Sequence, residues 1–269
     1  MTAVLARQLL ARGHRVTLFA GEGSGAGWPR TVEHIPVEPL RLSPAARSDP
    51  SMPADWVMQV HHAYLQVALH LAERRDIDVV HNNSLHYLPL AMARTSPAPT
   101  LTTLHTPPTP WLESALQADT DPRCRFAAVS DFTARSWSHL VAADVVPNGV
   151  DTELWRLGPG GEDLVWTGRM VPEKAPHLAA RAARLTGRRL VLAGPVSDEE
   201  YFRDVVAPEL GAGVEYAGHL AHRDLVELVG ASAVALVTPD WDEPFGLVAA
   251  EALACGTPVA GFARGGLPE

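Results

Sequence analysis

Short runs of apolar residues alternate with segments of helical periodicity along the whole chain. The apolar runs predict buried β-strands at residues 16–19, 32–37, 78–81, 100–104, 126–129, 164–167, 189–193, 214–217 and 234–237. The segments between them predict helices at residues 2–13, 56–75, 132–140, 175–186, 198–210, 224–231 and 245–256, with one more helix from about residue 84. Strands that alternate with helices form parallel sheets covered on both faces. The pattern therefore predicts an α/β fold.

A turn and a glycine-rich linker divide this series of strands and helices into two halves. Pro147-Asn148-Gly149 is a strong turn signal, and residues 158–161 read Gly-Pro-Gly-Gly. Each half contains enough strands for its own sheet. We therefore predict two doubly wound domains, residues 1–150 and residues 151–269, with ligands bound at the carboxyl ends of the strands.

Composition excludes several classes of protein. The chain has 269 residues and a net charge of −9 from 22 basic and 31 acidic residues, which argues against a nucleic-acid or membrane-surface partner. Two cysteines, Cys124 and Cys255, do not form a disulfide scaffold and fit a reducing cytoplasm. The sequence has no apolar run of about 18 residues, so we predict no transmembrane segment.

The loop after the strand at 164–167 contains the only lysine of the chain. Gly168, Arg169 and Lys174 place a flexible turn and two cations at a strand end. Arginine offers a planar fork and lysine a compact point charge, and together they suit a diphosphate. The alternative is a solvated loop in which Glu173 pairs with one cation. The position of the lone lysine favours the diphosphate interpretation.

The segment 238–256 carries two glutamates around a predicted helix. Every residue from Leu247 to Cys255 is apolar except Glu251, and a helix that is apolar all round is expected to be buried. A buried carboxylate needs a partner, and the local sequence offers none. Glu243 lies just before the helix, where free backbone N–H groups favour an anionic or polar ligand. The alternative is that the glutamates are a helix cap and a tolerated surface charge.

Other polar residues leave structural and functional alternatives open. Ser130 follows a strand and is predicted to cap the next helix. His105 and His219 also follow strands, where a structural histidine is the default and a ligand contact the alternative. Asp-x-Asp pairs can hold a metal that bridges phosphates, although turn formation explains them better; they lie at residues 76/78, 119/121 and 240/242.

Several of these motifs together resemble retaining glycosyltransferases of family 4. Glu243 and Glu251, with seven residues between them, resemble the family's signature. Further matching segments, in the family's order, are residues 12–18, 147–151, 168–174 and 265–269. The resemblance covers nearly the whole chain. It implies the GT-B fold, in which two Rossmann-like domains face each other across a cleft and the second holds the nucleotide sugar.

The resemblance also implies a role for each matching residue. Arg169 and Lys174 would hold the donor diphosphate, and Glu251 would accept hydrogen bonds from the ribose hydroxyls. Glu243 and the backbone of 244–247 would hold the transferred sugar, which His105 of the first domain would approach. The implied catalytic residues are His105, Arg169, Lys174 and Glu243. The implied donor-binding residues are Gly168, Arg169, Lys174, Gly218, His219, Glu243, Pro244, Phe245, Gly246, Leu247 and Glu251.

The activity that we expect is retaining, metal-independent transfer of a hexose from a nucleotide diphosphate sugar, with UDP the expected nucleotide. The nucleotide sugar is a co-substrate, and no cofactor is expected. The acceptor is unknown and could be a sugar, a lipid-linked sugar or a small molecule. The alternative is a nucleotide-sugar-binding fragment with little or no turnover. A sugar phosphorylase of similar architecture is disfavoured, because Lys174 leaves no further lysine for a pyridoxal cofactor.

The chain departs from the family pattern at both ends. Family members begin with a strand and a glycine-rich loop before the helix that here begins at Thr2, and they continue with helices past residues 265–269. In a doubly wound sheet the first strand lies between the second and the fourth. Here strand 16–19 would be the second and strand 78–81 the fourth, and the first strand would be missing between them. We therefore expect either that these two strands pair directly or that an open slot about 10 Å wide separates them. A longer chain with an upstream strand is expected to be more stable and more active.

Overall fold

The computed structural model describes residues 2–21, 32–118 and 121–269. The chain divides into two compact units. Unit 1 comprises Met1–Ala128 and Ser136–Asp144, and unit 2 comprises Val129–Arg135 and Val145–Glu269. Residues 21–27 read Gly-Glu-Gly-Ser-Gly-Ala-Gly, which predicts a flexible loop, and all but the first of them lie outside the described residues. Within the described ranges, no helix is long and apolar enough to cross a membrane.

Unit 1 contains helices and two groups of parallel strands. The helices are α1 (Thr2–Ala11), α2 (Pro44–Arg47), α3 (Asp55–Glu73), α4 (Leu88–Ala91), α5 (Pro110–Ala118) and α6 (Asp131–Trp137), the last of which begins in unit 2. The strands are β1 (Val16–Gly21), β2 (Val32–Val37), β3 (Val80–Asn82), β4 (Thr100–Leu104), β5 (Arg125–Ala128) and β6 (Ala143–Val145). The sheets have the orders β1-β2 and β3-β4-β5-β6.

An open slot separates the two sheets of unit 1. Among the described strands, β1 pairs only with β2, and β3 pairs only with β4. Both edges line one cavity of about 300 Å³, to which β1 contributes Thr17 and Phe19 and β3 contributes Val80 and Asn82. Of the two expected arrangements, the described strands therefore adopt the open slot rather than direct pairing.

Unit 2 is one five-stranded parallel sheet with helices. Its strands are β7 (Leu164–Thr167), β8 (Leu190–Ala193), β9 (Val214–Tyr216), β10 (Val234–Val237) and β11 (Val259–Gly261), and its helices are α7 (Pro176–Thr186), α8 (Glu199–Tyr201), α9 (His222–Gly230) and α10 (Leu247–Ala254). The strand order is β11-β10-β7-β8-β9. Strands β8 and β9 lie on one side of β7, and β10 and β11 lie on the other side. The direction in which strands are added therefore reverses between β7 and β10. Ligands bind at such a switch point in doubly wound sheets.

The core of unit 2 explains why its strands were predictable. All four residues of β8 are buried, which is the pattern of a central strand covered on both faces. Leu190 and Leu192 pack with Trp166 and Met170 in the main apolar cluster. The covering helix α7 contributes only small residues to that cluster, which lets its backbone approach the sheet closely; these residues are Ala179, Ala180 and Ala183.

Two predicted helices are corrected by the structure. The segment 198–210 is not one helix but α8, a π-helical stretch (Phe202–Val206) and a 3-10 turn (Ala207–Glu209). Pro208 explains the break, because proline lacks the amide N–H and its ring clashes with the carbonyl four residues earlier. The helix expected from residue 84 begins only at Leu88, because Ser84 donates from its backbone N–H to Asn82 Oδ1 in a local turn.

Candidate functional site

Three glycines lie at the carboxyl edge of the sheet of unit 2, where the strand ends approach each other closely. Gly168, Gly194 and Gly218 follow β7, β8 and β9. The Gly168 N–H donates to the Ala193 carbonyl (3.0 Å), and the Gly194 N–H donates to the Gly218 carbonyl (2.9 Å). A Cβ on Gly194, whose φ is +146°, would lie 1.8 Å from the Gly168 carbonyl oxygen. Gly194 was not predicted as a site residue, although a glycine directly after a buried strand was the available signal.

Lys174 forms an ion pair with Glu243 at the switch point between β7 and β10. The ammonium Nζ lies 2.5 Å from Glu243 Oε2, and the side chains are 24% and 14% exposed. Two hydrogen bonds join the loop to the end of β10: the Asp240 N–H donates to the Glu173 carbonyl (2.9 Å), and Thr238 Oγ1 donates to the Ala175 carbonyl (3.1 Å). Lys174 and Glu243 are far apart in the sequence, and the adjacency of β7 and β10 brings them together.

Trp241 completes this cluster. Its indole Nε1 donates to the same Oε2 of Glu243 (2.9 Å), and its ring centroid lies 5.0 Å from Lys174 Nζ. A cation over an indole ring is attracted by the negative face of the ring. Trp241 was not predicted as a site residue, because its position two residues before Glu243 in a turn gives no periodic signal.

Arg169 has a different setting from Lys174. Its side chain is 56% exposed, and its guanidinium lies 3.6 Å from Glu173 Oε1. An exposed pair at this distance is screened by water and contributes little to stability. Glu173 thus pairs with Arg169, as the solvated-loop interpretation expects for one of the two cations. Lys174 pairs with Glu243 instead.

The segment 265–269 packs against the backbone around Glu243. The Gly266 N–H donates to the Glu243 carbonyl (2.7 Å). A Cβ on Gly266 would lie 2.5 Å from the Pro244 carbonyl oxygen, and a Cβ on Gly246 would lie 2.3 Å from Leu267 Cδ2. Only glycine fits these approaches without displacement of the neighbours. The contacts fix the backbone 243–246 that leads into α10.

The start of α6 is tied to the same backbone. Ser130 Oγ accepts from the Thr133 N–H (3.1 Å), which confirms Ser130 as the predicted cap, and it donates to the Pro244 carbonyl (2.5 Å). The Glu269 carboxylate accepts from the N–H groups of Asp131 (2.6 Å) and Phe132 (2.7 Å). Residues 129–135, 243–246 and 265–269 therefore form one hydrogen-bonded cluster of unit 2.

Glu251 lies half-buried on α10. Among the described residues, none donates a hydrogen bond to its carboxylate or forms an ion pair with it. Burial raises the pKa of this carboxyl from 4.5 to about 7. A half-buried carboxylate that is only partly ionised near neutral pH is suited to accept hydrogen bonds from a ligand.

The helix α10 is less buried than its composition predicts. It begins after Gly246, whose φ of +86° suits glycine, and of its residues only Ala252 is buried. Leu253 is 61% exposed. The helix packs one face against β10 and β11, so the apolar residues on its other side remain at the surface of the described chain. The expectation of a fully buried helix is therefore wrong.

The predicted histidines occupy different units. His105 belongs to unit 1, where its Nε2 lies 3.0 Å from Asn83 Oδ1. Its Nδ1 is buried and has no partner within the described ranges, and burial lowers its pKa. His219 of unit 2 is exposed beside Gly218, whose φ is +80°.

One aspartate of each Asp-x-Asp pair forms an ion pair with an arginine. Asp76 pairs with Arg74 (2.6 Å), and Asp121 pairs with Arg123 (2.6 Å). Asp240 lies 3.5 Å from an arginine at position 264. Asp119 lies outside the described residues. In the described part of the chain, no three His, Cys, Asp or Glu side chains form a group that could hold a metal ion.

Known proteins resemble this chain along its whole length. The family model of "Glycosyltransferase Family 4" matches residues 1–154, and that of "Glycosyl transferases group 1" matches residues 155–269. A D-inositol 3-phosphate glycosyltransferase of Mycobacterium avium is 41% identical over 144 residues, a match that spans 46% of this chain and 34% of the relative. The chain thus aligns with about a third of that relative.

Solved structures share the fold. AviGT4, a glycosyltransferase involved in avilamycin A biosynthesis, superposes with a TM-score of 0.71 and 25% identity over 100% of this chain and 71% of its own. Anabaena HepE in complex with UDP-glucose gives a TM-score of 0.63 and 19% identity over 80% of this chain and 66% of its own. Because the family models match both halves of the sequence, the chain belongs to the group 1 glycosyltransferases of family 4.

Proposed function

We propose that this chain is a retaining glycosyltransferase that transfers a hexose from a UDP-sugar to a hydroxyl-bearing acceptor. The observation that carries the proposal is the pairing of Lys174 with Glu243 at the switch point of unit 2, where doubly wound sheets bind ligands. Family membership supports glycosyl transfer, and a structural neighbour binds UDP-glucose. The nucleotide, the hexose and the stereochemistry are the proposed details.

The donor diphosphate is assigned to the loop after β7. Lys174 and Arg169 supply positive charge, and Gly168 begins the loop without a side chain that would obstruct the diphosphate. Charge-assisted hydrogen bonds to phosphate are roughly twice as strong as neutral ones. Lys174 is the stronger contact in this proposal, because it is more shielded from water than Arg169.

The ribose and the base are assigned to neighbouring elements of unit 2. Glu251 accepts hydrogen bonds from the two ribose hydroxyls, which supplies the partner that its carboxylate lacks among the described residues. Gly218 and His219, after β9, line the side of the base. The transferred sugar is held by Glu243 and by the backbone of a short segment, namely Pro244, Phe245, Gly246 and Leu247.

The chemical step needs no metal or cofactor in this proposal. The bond between the anomeric carbon and the diphosphate oxygen breaks, and the cations of Lys174 and Arg169 stabilise the charge on the departing UDP. The acceptor oxygen bonds to the anomeric carbon on the face that the diphosphate leaves, so the configuration is retained. The acceptor proton passes to the departing phosphate oxygen. His105 of unit 1 remains a proposed catalytic residue.

A relative with a named acceptor suggests which acceptor to test first. The curated relative carries the name of a D-inositol 3-phosphate glycosyltransferase, which makes a phosphorylated cyclitol the first acceptor to test. The alternative function is nucleotide-sugar binding with little turnover, and the open slot between β1 and β3 favours it.

The test incubates the protein with UDP-glucose and D-inositol 3-phosphate in the presence of EDTA. We expect UDP release and an α-linked glucoside, detected by mass spectrometry and by the anomeric coupling in NMR. A β-linked product would contradict retention, and activity that requires added Mg²⁺ or Mn²⁺ would contradict metal independence. Binding of UDP-glucose without product from any sugar or cyclitol acceptor would support the alternative function.

A further inference from the structure

We propose that Trp241 is a positioning residue that fixes Glu243 and Lys174 in one geometry for the donor sugar and its diphosphate. The inference rests on the proposed function and deepens it. Trp241 contacts both side chains at once, through its indole N–H and through its ring. Neither the sequence motifs nor the comparisons assign it a role.

The indole N–H and the lysine converge on one oxygen of Glu243. Oε2 accepts from Lys174 Nζ (2.5 Å) and from Trp241 Nε1 (2.9 Å). The other oxygen, Oε1, has no hydrogen-bond donor among the described residues. Two donors on one oxygen set the rotation of the carboxylate about its last bond. Oε1 is thereby kept available to accept from a hydroxyl of the transferred sugar.

The ring of Trp241 restrains Lys174 as well. Its centroid lies 5.0 Å from Nζ, within the range of a cation–π contact. An ammonium has three donors, of which one is directed to Glu243. The indole face covers another side of the ammonium without accepting a strong hydrogen bond. Donor capacity therefore remains for a diphosphate oxygen.

The backbone on both sides of Trp241 is anchored. The Asp240 N–H donates to the Glu173 carbonyl (2.9 Å), and the Glu243 carbonyl accepts from the Gly266 N–H (2.7 Å). The turn that carries Trp241 is thus bound to the Lys174 loop on one side and to the segment 265–269 on the other. This rigid presentation is what a positioning side chain requires.

Two substitutions separate the two contacts of Trp241. Trp241→Phe keeps an aromatic face for Lys174 and removes the N–H, whereas Trp241→Leu removes both. We expect Trp241→Phe to weaken UDP-glucose binding about tenfold, the loss expected for one hydrogen bond to a charged group, and to change UDP binding less than about twofold. Trp241→Leu should weaken the binding of both UDP-glucose and UDP. Trp111→Phe, in an exposed tryptophan of unit 1, is the matched control and should change neither.

A double-mutant cycle tests whether Trp241 acts through Glu243. Isothermal titration with UDP-glucose is carried out on Trp241→Phe, Glu243→Ala and the double variant, with circular dichroism to establish folding. If Trp241 positions Glu243, then Trp241→Phe should have less than about a twofold effect once Glu243 is alanine. Equal, additive losses in both backgrounds would overturn the inference, as would a Trp241→Phe variant that binds UDP-glucose like the wild type.

The same titrations distinguish this inference from the proposed function. If Glu243→Ala and Lys174→Ala both bind UDP-glucose like the wild type, the donor assignment fails and the inference falls with it. If both weaken binding and Trp241→Phe does not, the donor assignment stands and only the positioning role is wrong. Should Trp241→Leu fail to fold, Trp241→Phe and the cycle still decide.

Discussion

Replacement of Glu251 by glutamine should make the protein more stable and a poorer nucleotide binder at alkaline pH. Burial raises the pKa of Glu251 to about 7 in the folded chain, against 4.5 for an unhindered carboxyl. The folded state therefore holds the proton more tightly than the unfolded state between pH 4.5 and 7. In that window the stability of the wild type falls as the pH rises. Glutamine has the same shape but does not ionise, so the stability of Glu251→Gln should not fall as the pH rises through this window.

The magnitude follows from the difference in pKa. Each pKa unit corresponds to about 1.4 kcal/mol, so a change from 4.5 to about 7 sets a ceiling of about 3 kcal/mol above pH 7. Glu251 is only half-buried, and solvent screening reduces this ceiling to about 1–2 kcal/mol. For a chain of this size, that corresponds to an increase in Tm of about 2–8 °C at pH 8. At pH 5, where the folded carboxyl is protonated and only about a quarter of this difference has developed, the two proteins should melt within about 2 °C of each other.

Nucleotide binding should change in the opposite direction. Loss of charge-assisted hydrogen bonds to the ribose should weaken UDP-glucose binding at pH 8 by about 1.5–3 kcal/mol, or roughly 10- to 150-fold. The affinity of the wild type should increase from pH 6 to pH 8 as Glu251 ionises, and that of Glu251→Gln should not. UDP-glucose suits this assay because its diphosphate has no proton to lose in this range.

The assay combines thermal melting and titration calorimetry at pH 5, 6, 7 and 8. Glu227→Gln is the matched control, because Glu227 is an exposed glutamate on α9. It should change neither Tm nor affinity. If Glu251→Gln lowers Tm at pH 8 and leaves the affinity for UDP-glucose unchanged, then Glu251 has a structural partner and the ribose assignment is wrong.

Three other predictions concern the same unit. Arg169→Ala should weaken UDP binding by only about three- to tenfold in calorimetry, because its side chain is exposed; no loss at all would contradict its place at the diphosphate, and a loss of 100-fold would contradict the argument that solvent weakens this contact. Gly266→Ala should lower the free energy of unfolding in urea by about 1–3 kcal/mol, since its Cβ would lie 2.5 Å from the Pro244 carbonyl oxygen, whereas Gly149→Ala, with open space around it, should be neutral. EDTA should leave UDP-glucose binding unchanged, and a loss that Mn²⁺ restores would indicate a metal-bridged diphosphate.

The sequence predicts most of the fold, because parallel strands buried on both faces appear as unbroken apolar runs. The strand at 164–167 is correct to the residue, and the strand at 189–193 is correct to one residue. The π-helical break in 198–210 and the short β11 were not predicted. The first depends on one proline within a strong helical pattern. The second is a three-residue edge strand whose pairing with β10 is not a local property.

The site was predictable as separate residues but not as an arrangement. Lys174 and Glu251 were conspicuous as a lone lysine and a lone carboxylate, each by contrast with its neighbours. The contact between Lys174 and Glu243 joins residues 69 positions apart, and only the strand order of unit 2 determines it. Trp241 was also missed, since its contact with Lys174 exists only after β7 and β10 lie side by side.

The most direct test of the donor site is titration of UDP-glucose into the wild type and Lys174→Ala. Arg181→Ala, which removes a cation on α7 that pairs with Glu209, is the matched control. The wild type and Arg181→Ala should bind with equal affinity, and Lys174→Ala should bind about 10- to 150-fold more weakly, as expected for the loss of a charge-assisted contact. A folded Lys174→Ala variant that binds UDP-glucose as tightly as the wild type would contradict the account.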